Sequence, residues 1–199
     1  MNRYISFLSA LAFGFATSSV ICTSTANAQS HPLDVGAAYT YVHTNLLPGC
    51  NCFGTNGGSG QLQLRLSPHL SLLGDVTATH RGGVTANQYD LIQTIFSGGM
   101  RYYPTSGHFK LRPFGDMLLG GAHSGGTLSP ANTAHGAATT FAFQTGGGMQ
   151  YPLSARWTLM PIQAEYLLTT FGNGADNRQN DLRLSAGLLF RIHGSFEVQ

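Results

Sequence analysis

Few residues in this 199-residue chain are of a type that does chemistry, and their spacing limits what they could do. Cys50 and Cys52 stand one residue apart in a glycine-rich stretch. Three chemistries are open to them: a local disulfide, free or intermolecularly paired thiols, or a metal or redox role. A bridge across one intervening residue is strained, because the Cα atoms of a disulfide must lie within a narrow range. Zinc needs further ligands, and His43 is the one obvious neighbour in the sequence. His80, His123 and His135 are scattered singly, so nothing in the sequence fixes their mutual geometry. No loop has the pattern that cradles phosphate. No two carboxylates have a spacing that suggests acid–base work. What remains is a dispersed set of charges: Asp34, Asp75, Asp116, Glu165 and Asp181 against Arg65, Arg101, Arg112, Arg183 and Arg191. Their number is even, and they call for an element that would gather them.

The chain opens with a targeting pattern. Arg3 supplies a positive start, Tyr4 to Val20 an apolar run, and Ala26-Asn27-Ala28 a small-any-small cleavage site. Residues 1–28 are therefore expected to be a signal peptide and residues 29–199 one domain. Cys22 does not suit lipid attachment, since the Ile21 before it is too large for that motif. An exported chain would meet an oxidising periplasm, which bears on the cysteine pair. Charged residues make up only 9% of the chain, glycines number 26, and mean hydropathy is near zero. No segment after residue 28 reaches the roughly 20 apolar residues of a spanning helix. The net charge of +2 comes from isolated basic residues, which gives no footprint for nucleic acid.

Alternation of period two recurs along the rest of the chain, and this is the signature of half-buried strands. It is cleanest in DLRLSAGLLFRI, Asp181 to Ile192, where Leu182, Leu184, Ala186, Leu188, Phe190 and Ile192 oppose Asp181, Arg183, Ser185, Gly187, Leu189 and Arg191. Seven further segments follow suit, beginning near Leu33, Gln61, Leu70, Leu91, Lys110, Ala138 and Trp157. All ten charges named above fall on the polar side of these strands. Connections alternate long and short: glycine-rich Asn45 to Gly58, then Ser67-Pro68-His69, Arg81 to Asp90, Tyr103 to Phe109, His123 to His135, Pro152 to Arg156, and Gly172 to Asn180. Apolar-out, polar-in strands with this rhythm predict an all-β fold, an eight-stranded antiparallel up-and-down transmembrane β-barrel, with the short turns in the periplasm and four extracellular loops. Tyr102, Tyr103, Tyr151, Trp157 and Phe190 gather at the short-turn end as an interfacial girdle. Pro113 and Pro161 disturb the pattern, because a closed barrel has no free edge to hide a missing donor; a bulge or a later strand start would absorb each.

Ser185, Gly187, Phe190 and Ile192 resemble the C-terminal assembly signal of bacterial outer-membrane barrels. With YTYVHT ahead of the glycine-rich loop, PIQAEYLL and RLSAGLLFRI, nearly the whole chain after residue 28 resembles the OmpA-like family of small eight-stranded outer-membrane barrels, its acidobacterial-type members in particular. The chain departs from that pattern by continuing with HGSFEVQ after Ile192. The resemblance implies a bacterial outer-membrane location, outer-membrane lipid and the barrel-assembly machinery as partners, and no cofactor. His123-Ser124 invites comparison with lipid A deacylase barrels, but adjacent strand residues point to opposite faces, so an enzyme is not expected. An eight-stranded barrel is only wide enough for side chains to fill it. The expected function is therefore structural or surface-interacting, with an extracellular ligand met by the loops. The alternative is a narrow pore for ions or small solutes. An even balance of lumen charge favours the filled barrel, with Arg183 the expected partner of Glu165.

Overall fold

The computed structural model describes residues 31–45, 52–84, 90–104, 110–126, 138–172 and 177–193. Eight strands close on themselves in chain order: β1 Leu33–Thr44, β2 Phe53–Arg65, β3 Leu70–Arg81, β4 Leu91–Tyr102, β5 Arg112–Gly126, β6 Ala138–Pro152, β7 Trp157–Thr169 and β8 Gln179–His193. Every neighbouring pair is antiparallel, and β8 returns to pair with β1 from Leu33↔His193 to His43↔Leu182. Closure leaves no sheet edge, which is the condition for strands to cross lipid with all backbone groups satisfied. The all-β, up-and-down barrel expected from the alternation is the fold observed.

Several boundaries differ from those read in the sequence. The glycine-rich stretch before Gln61 is strand, not loop: β2 begins at Phe53, and Thr44↔Phe53 to Ala37↔Gly60 pair in unbroken register. The glycines of this stretch are held by their partner strand, and the Tyr41 ring lies over the face that Gly54 leaves bare. β5 runs on through His123 and Ser124 to Gly126, so these two are strand residues, the first exposed and the second buried.

The two prolines are absorbed in the two ways open to them. β5 starts at Arg112, making Pro113 its second residue. At Pro161 both ladders of β7 slip, between Met160 and Gln163 against β8 and between Met149 and Tyr151 against β6. A bulge accommodates the missing N–H and also re-aims the strand. Met160, which simple alternation puts with the outward residues, is consequently buried in the lumen.

Inward glycines set the bore. A Cβ on Gly99 would strike the Met117 carbonyl, and one on Gly120 would strike the carbonyl of Phe96. Such positions let neighbouring strands coil tightly enough for a small barrel to close.

Candidate functional site

The lumen gathers most of the dispersed charges. Asp34, Arg65, Asp75, Arg101, Asp116, Glu165, Asp181 and Arg183 are all buried, although they come from seven different strands. Alternation explains this: each sits at an inward position, and apart from Asn180 beside Asp181 the outward neighbours are apolar, aromatic or small. Arg101 on β4 and Asp116 on β5 are register partners, and the guanidinium grips the carboxylate by two bonds, Nε to Oδ1 and Nη2 to Oδ2, each 2.8 Å. The same guanidinium lies 3.9 Å from the centroid of the Phe114 ring. Arg183 on β8 bridges two acids, donating through Nη1 to Glu165 Oε2 at 2.7 Å and through Nη2 to Asp75 Oδ2 at 2.9 Å.

Amides join these centres into networks. Gln144 accepts from Arg183 Nη1 at 2.7 Å and donates to Ser97 Oγ at 2.8 Å. Gln163 donates to Asp116 Oδ2 at 3.0 Å and accepts from Gln61 at 2.9 Å. Gln63 accepts from Arg101 at 3.1 Å and donates to the Tyr103 hydroxyl at 2.9 Å. These glutamines were not singled out as site residues in the sequence. Their signal was present, since an amide on the inward side of a strand in a closed barrel must find partners.

One-to-one pairing of the ten charges is not what the structure shows. Arg191 donates to Asp34 Oδ1 at 2.9 Å, at the short-turn end. Arg112 also lies there, half-buried, close enough to Arg65 and Arg191 to feel their charge. Arg65 stacks over Tyr103, 5.0 Å from the ring centroid. Asp181, at the loop end, accepts the Asn45 backbone N–H at 3.0 Å instead of meeting an arginine. The lumen is layered: acid-rich in the middle and at the loop end, arginine-rich at the turn end.

Two apolar layers bracket the polar middle. Val42, Leu91, Ile95, Ala122, Ala142, Leu167 and Phe171 pack together at the loop end. At the turn end Tyr103, Phe114, Met160 and Leu189 form a second cluster. Tyr103 therefore does not belong to the girdle: it is 2% exposed and donates to Gln150 Oε1 at 3.0 Å inside the barrel. It follows the last outward residue of β4, so alternation turns it in.

The outer wall is apolar, with Leu62, Phe96, Met117, Leu119, Ile162 and Ile192 each at least half exposed. Tyr102 and Trp157 are exposed at the turn end, while Tyr151 and Phe190 are half-buried there. Towards the loops the outward polar groups satisfy one another across strands: Tyr39 donates to Asn56, Tyr166 to Asn180, His123 meets Thr139, and Thr140 meets Thr170. Bands of this kind on both sides of an apolar belt mark the two interfaces of a membrane.

Of the four residues expected to form an assembly signal, Ser185 is buried and bonds to Thr40, and Gly187 lies against Ala37 and Ala38. Phe190 packs on Trp157 with ring centroids 4.9 Å apart, and Ile192 faces outward. Cys52 is exposed beside the start of β2; Cys50, His135, the expected signal peptide of residues 1–28 and the tail after His193 lie outside the described residues. His43 and His80 are exposed near the loop ends of β1 and β3. Among the described residues no group of three His, Cys, Asp or Glu side chains could hold a metal ion.

A closed barrel with an apolar wall, interfacial bands and a polar interior defines an integral β-barrel membrane protein. The family model for the outer membrane protein beta-barrel domain matches residues 13–190, and the chain belongs to that family, in the bacterial outer membrane. No curated protein sequence matches it. Solved structures share the fold: Neisserial surface protein A at 15% identity and TM-score 0.62, covering 80% of this chain and 97% of that one. OprG from Pseudomonas aeruginosa aligns at 10% identity and TM-score 0.54, covering 83% and 98%. Ail, the attachment invasion locus protein of Yersinia pestis, aligns at 12% identity and TM-score 0.52, covering 81% and 99%.

Proposed function

We propose that this outer-membrane barrel is a surface-interaction protein with a filled, non-conducting lumen, and that its four extracellular loops carry recognition. The observation that supports this most is the sequence of layers along the barrel axis. An ion traversing the lumen would have to cross the Leu91–Leu167–Phe171 layer, displace the salt-bridged arginines, and pass Tyr103 and Met160. Apolar constrictions of this kind oppose wetting.

Export by the signal peptide of residues 1–28, and insertion by the assembly machinery reading Ser185, Gly187, Phe190 and Ile192, belong to the same proposal. Ligand recognition by a barrel of this fold has a precedent in Ail, which has been crystallised in complex with the heparin analogue sucrose octasulfate.

One observation favours the alternative of a narrow pore. Glu165 Oε1, Arg183 Nε and Gln61 Oε1 are buried and have no hydrogen-bond partner among the described residues. Buried polar atoms of this kind are the usual lodging of internal water. Liposome swelling separates the readings: vesicles carrying the barrel should swell in small sugars and amino acids no faster than empty ones. Faster swelling would move the protein to transport.

A further inference from the structure

The outer wall is not uniformly convex. Where β8 closes on β1, a groove of about 560 Å³ opens on the lipid side. Its floor is made by Ala37 and Ala186, and its rim by Tyr39, Leu188, Phe190 and Trp157. The register explains the hollow. Ala37 stands beside Leu188 and Ala186 beside Tyr39, so each small residue is flanked by a large one. On the other side of Ala37 its partner is Gly60, where a Cβ would meet nothing within 4 Å, so the floor continues open over β2. At the turn end the groove finishes against the Trp157–Phe190 pair, whose rings are tilted at 59°.

We propose that this groove is a binding site for one acyl chain of an anionic phospholipid, held at the short-turn interface. The occupant must be apolar, since the alanine floor and the Leu188, Phe190 and Trp157 side chains of the rim offer it almost only carbon. It must also be slender, because the rim aromatics would hold a second barrel wall off a floor of two alanines. The headgroup preference comes from Arg156, which is exposed in the turn immediately before Trp157. That turn is pinned: Ser154 Oγ accepts the N–H groups of Arg156 and Trp157 at 3.3 and 3.1 Å, and the Arg156 carbonyl accepts Arg191 N–H at 2.8 Å. The turn backbone is thus held in place, and an exposed arginine one residue before the rim tryptophan suits a lipid phosphate above its chain. With the orientation proposed above, that lipid belongs to the periplasmic leaflet; the site itself does not depend on which leaflet it is.

Trp157 is the only tryptophan in the chain, so its fluorescence reports this site alone. The refolded barrel is placed in bilayers of unbrominated zwitterionic phospholipid doped with brominated phosphatidylglycerol, or with brominated phosphatidylcholine for comparison. Quenching by the anionic lipid should exceed that expected from its mole fraction, with a preference of about fivefold over the zwitterionic one, the effect of one interfacial arginine. Arg156→Gln should abolish the preference, and Ala37→Phe should return quenching to the mole-fraction value. Folding of both variants is checked by heat-modifiable mobility in SDS, and Arg156→Gln, confined to an exposed turn, serves if Ala37→Phe does not fold. Wild-type quenching that simply follows mole fraction for both lipids would overturn the proposal. So would quenching that weakens as the protein-to-lipid ratio rises, which would mean that a second copy of the barrel covers the groove.

Discussion

Glu165 on β7 and Arg183 on β8 are direct register partners, and their side chains meet in the lumen at 2.7 Å with neither exposed to solvent. The same arginine holds Asp75 from the opposite side, so three strands are tied by one guanidinium. A fork of fixed donors suits this bridging, which a lysine could not reproduce.

Removing one member of a buried pair leaves the other charge stranded. Glu165→Ala should destabilise the barrel by roughly 3–5 kcal/mol. Replacing Glu165 and Arg183 together by neutral residues should not recover the loss, because Asp75 is then orphaned. Only the triple neutral replacement, with Asp75→Asn, should approach wild type. Urea unfolding midpoints in lipid test the series, and full recovery in the double variant would show that Asp75 does not depend on Arg183.

Arg101→Lys tests the second centre. It keeps the charge but gives up the twofold grip on Asp116 and the guanidinium stack on Phe114. A loss of about 2 kcal/mol is expected, the scale of a charge-assisted hydrogen bond. An unchanged midpoint would mean that charge alone, not geometry, matters there.

Gly99→Ala and Gly120→Ala each drive a methyl group into a neighbouring strand's carbonyl, so each should cost roughly 1–3 kcal/mol and slow refolding. Gly60→Ala, pointing into open space, is the control and should fall within about 0.5 kcal/mol of wild type. Equal effects at all three positions would refute a steric role for the inward glycines.

Strand count, closure and the facing of the charges were legible in the sequence because a membrane barrel writes its two solvents into alternate residues. What alternation could not show was the bulge at Pro161, which turns Met160 inward, since that depends on where a strand slips. Tyr103 continues the alternation of β4 one residue past its end and so faces the bore, not the girdle expected of it. The glycine-rich start of β2 reads as loop because glycine carries no facing signal, and only its pairing with β1 makes it strand. Arg183 facing Glu165 was readable as neighbouring inward positions; its second bond to Asp75, across the bore, depends on the closed geometry and not on adjacency.

Topology has its own test. Cys52 is exposed where β2 begins, at the loop end. After mild reduction, a membrane-impermeant maleimide should label it on intact cells. Labelling that requires disruption of the outer membrane would reverse the orientation.

Whether the lumen is closed is decided by single-channel recording. Purified barrel inserted into a planar bilayer should show no stable unitary current steps, in keeping with apolar layers at both ends of a salt-bridged interior. Reproducible steps from the wild-type protein, scaling with salt and altered by Glu165→Ala, would contradict a filled lumen and establish a wet pore lined by these charges.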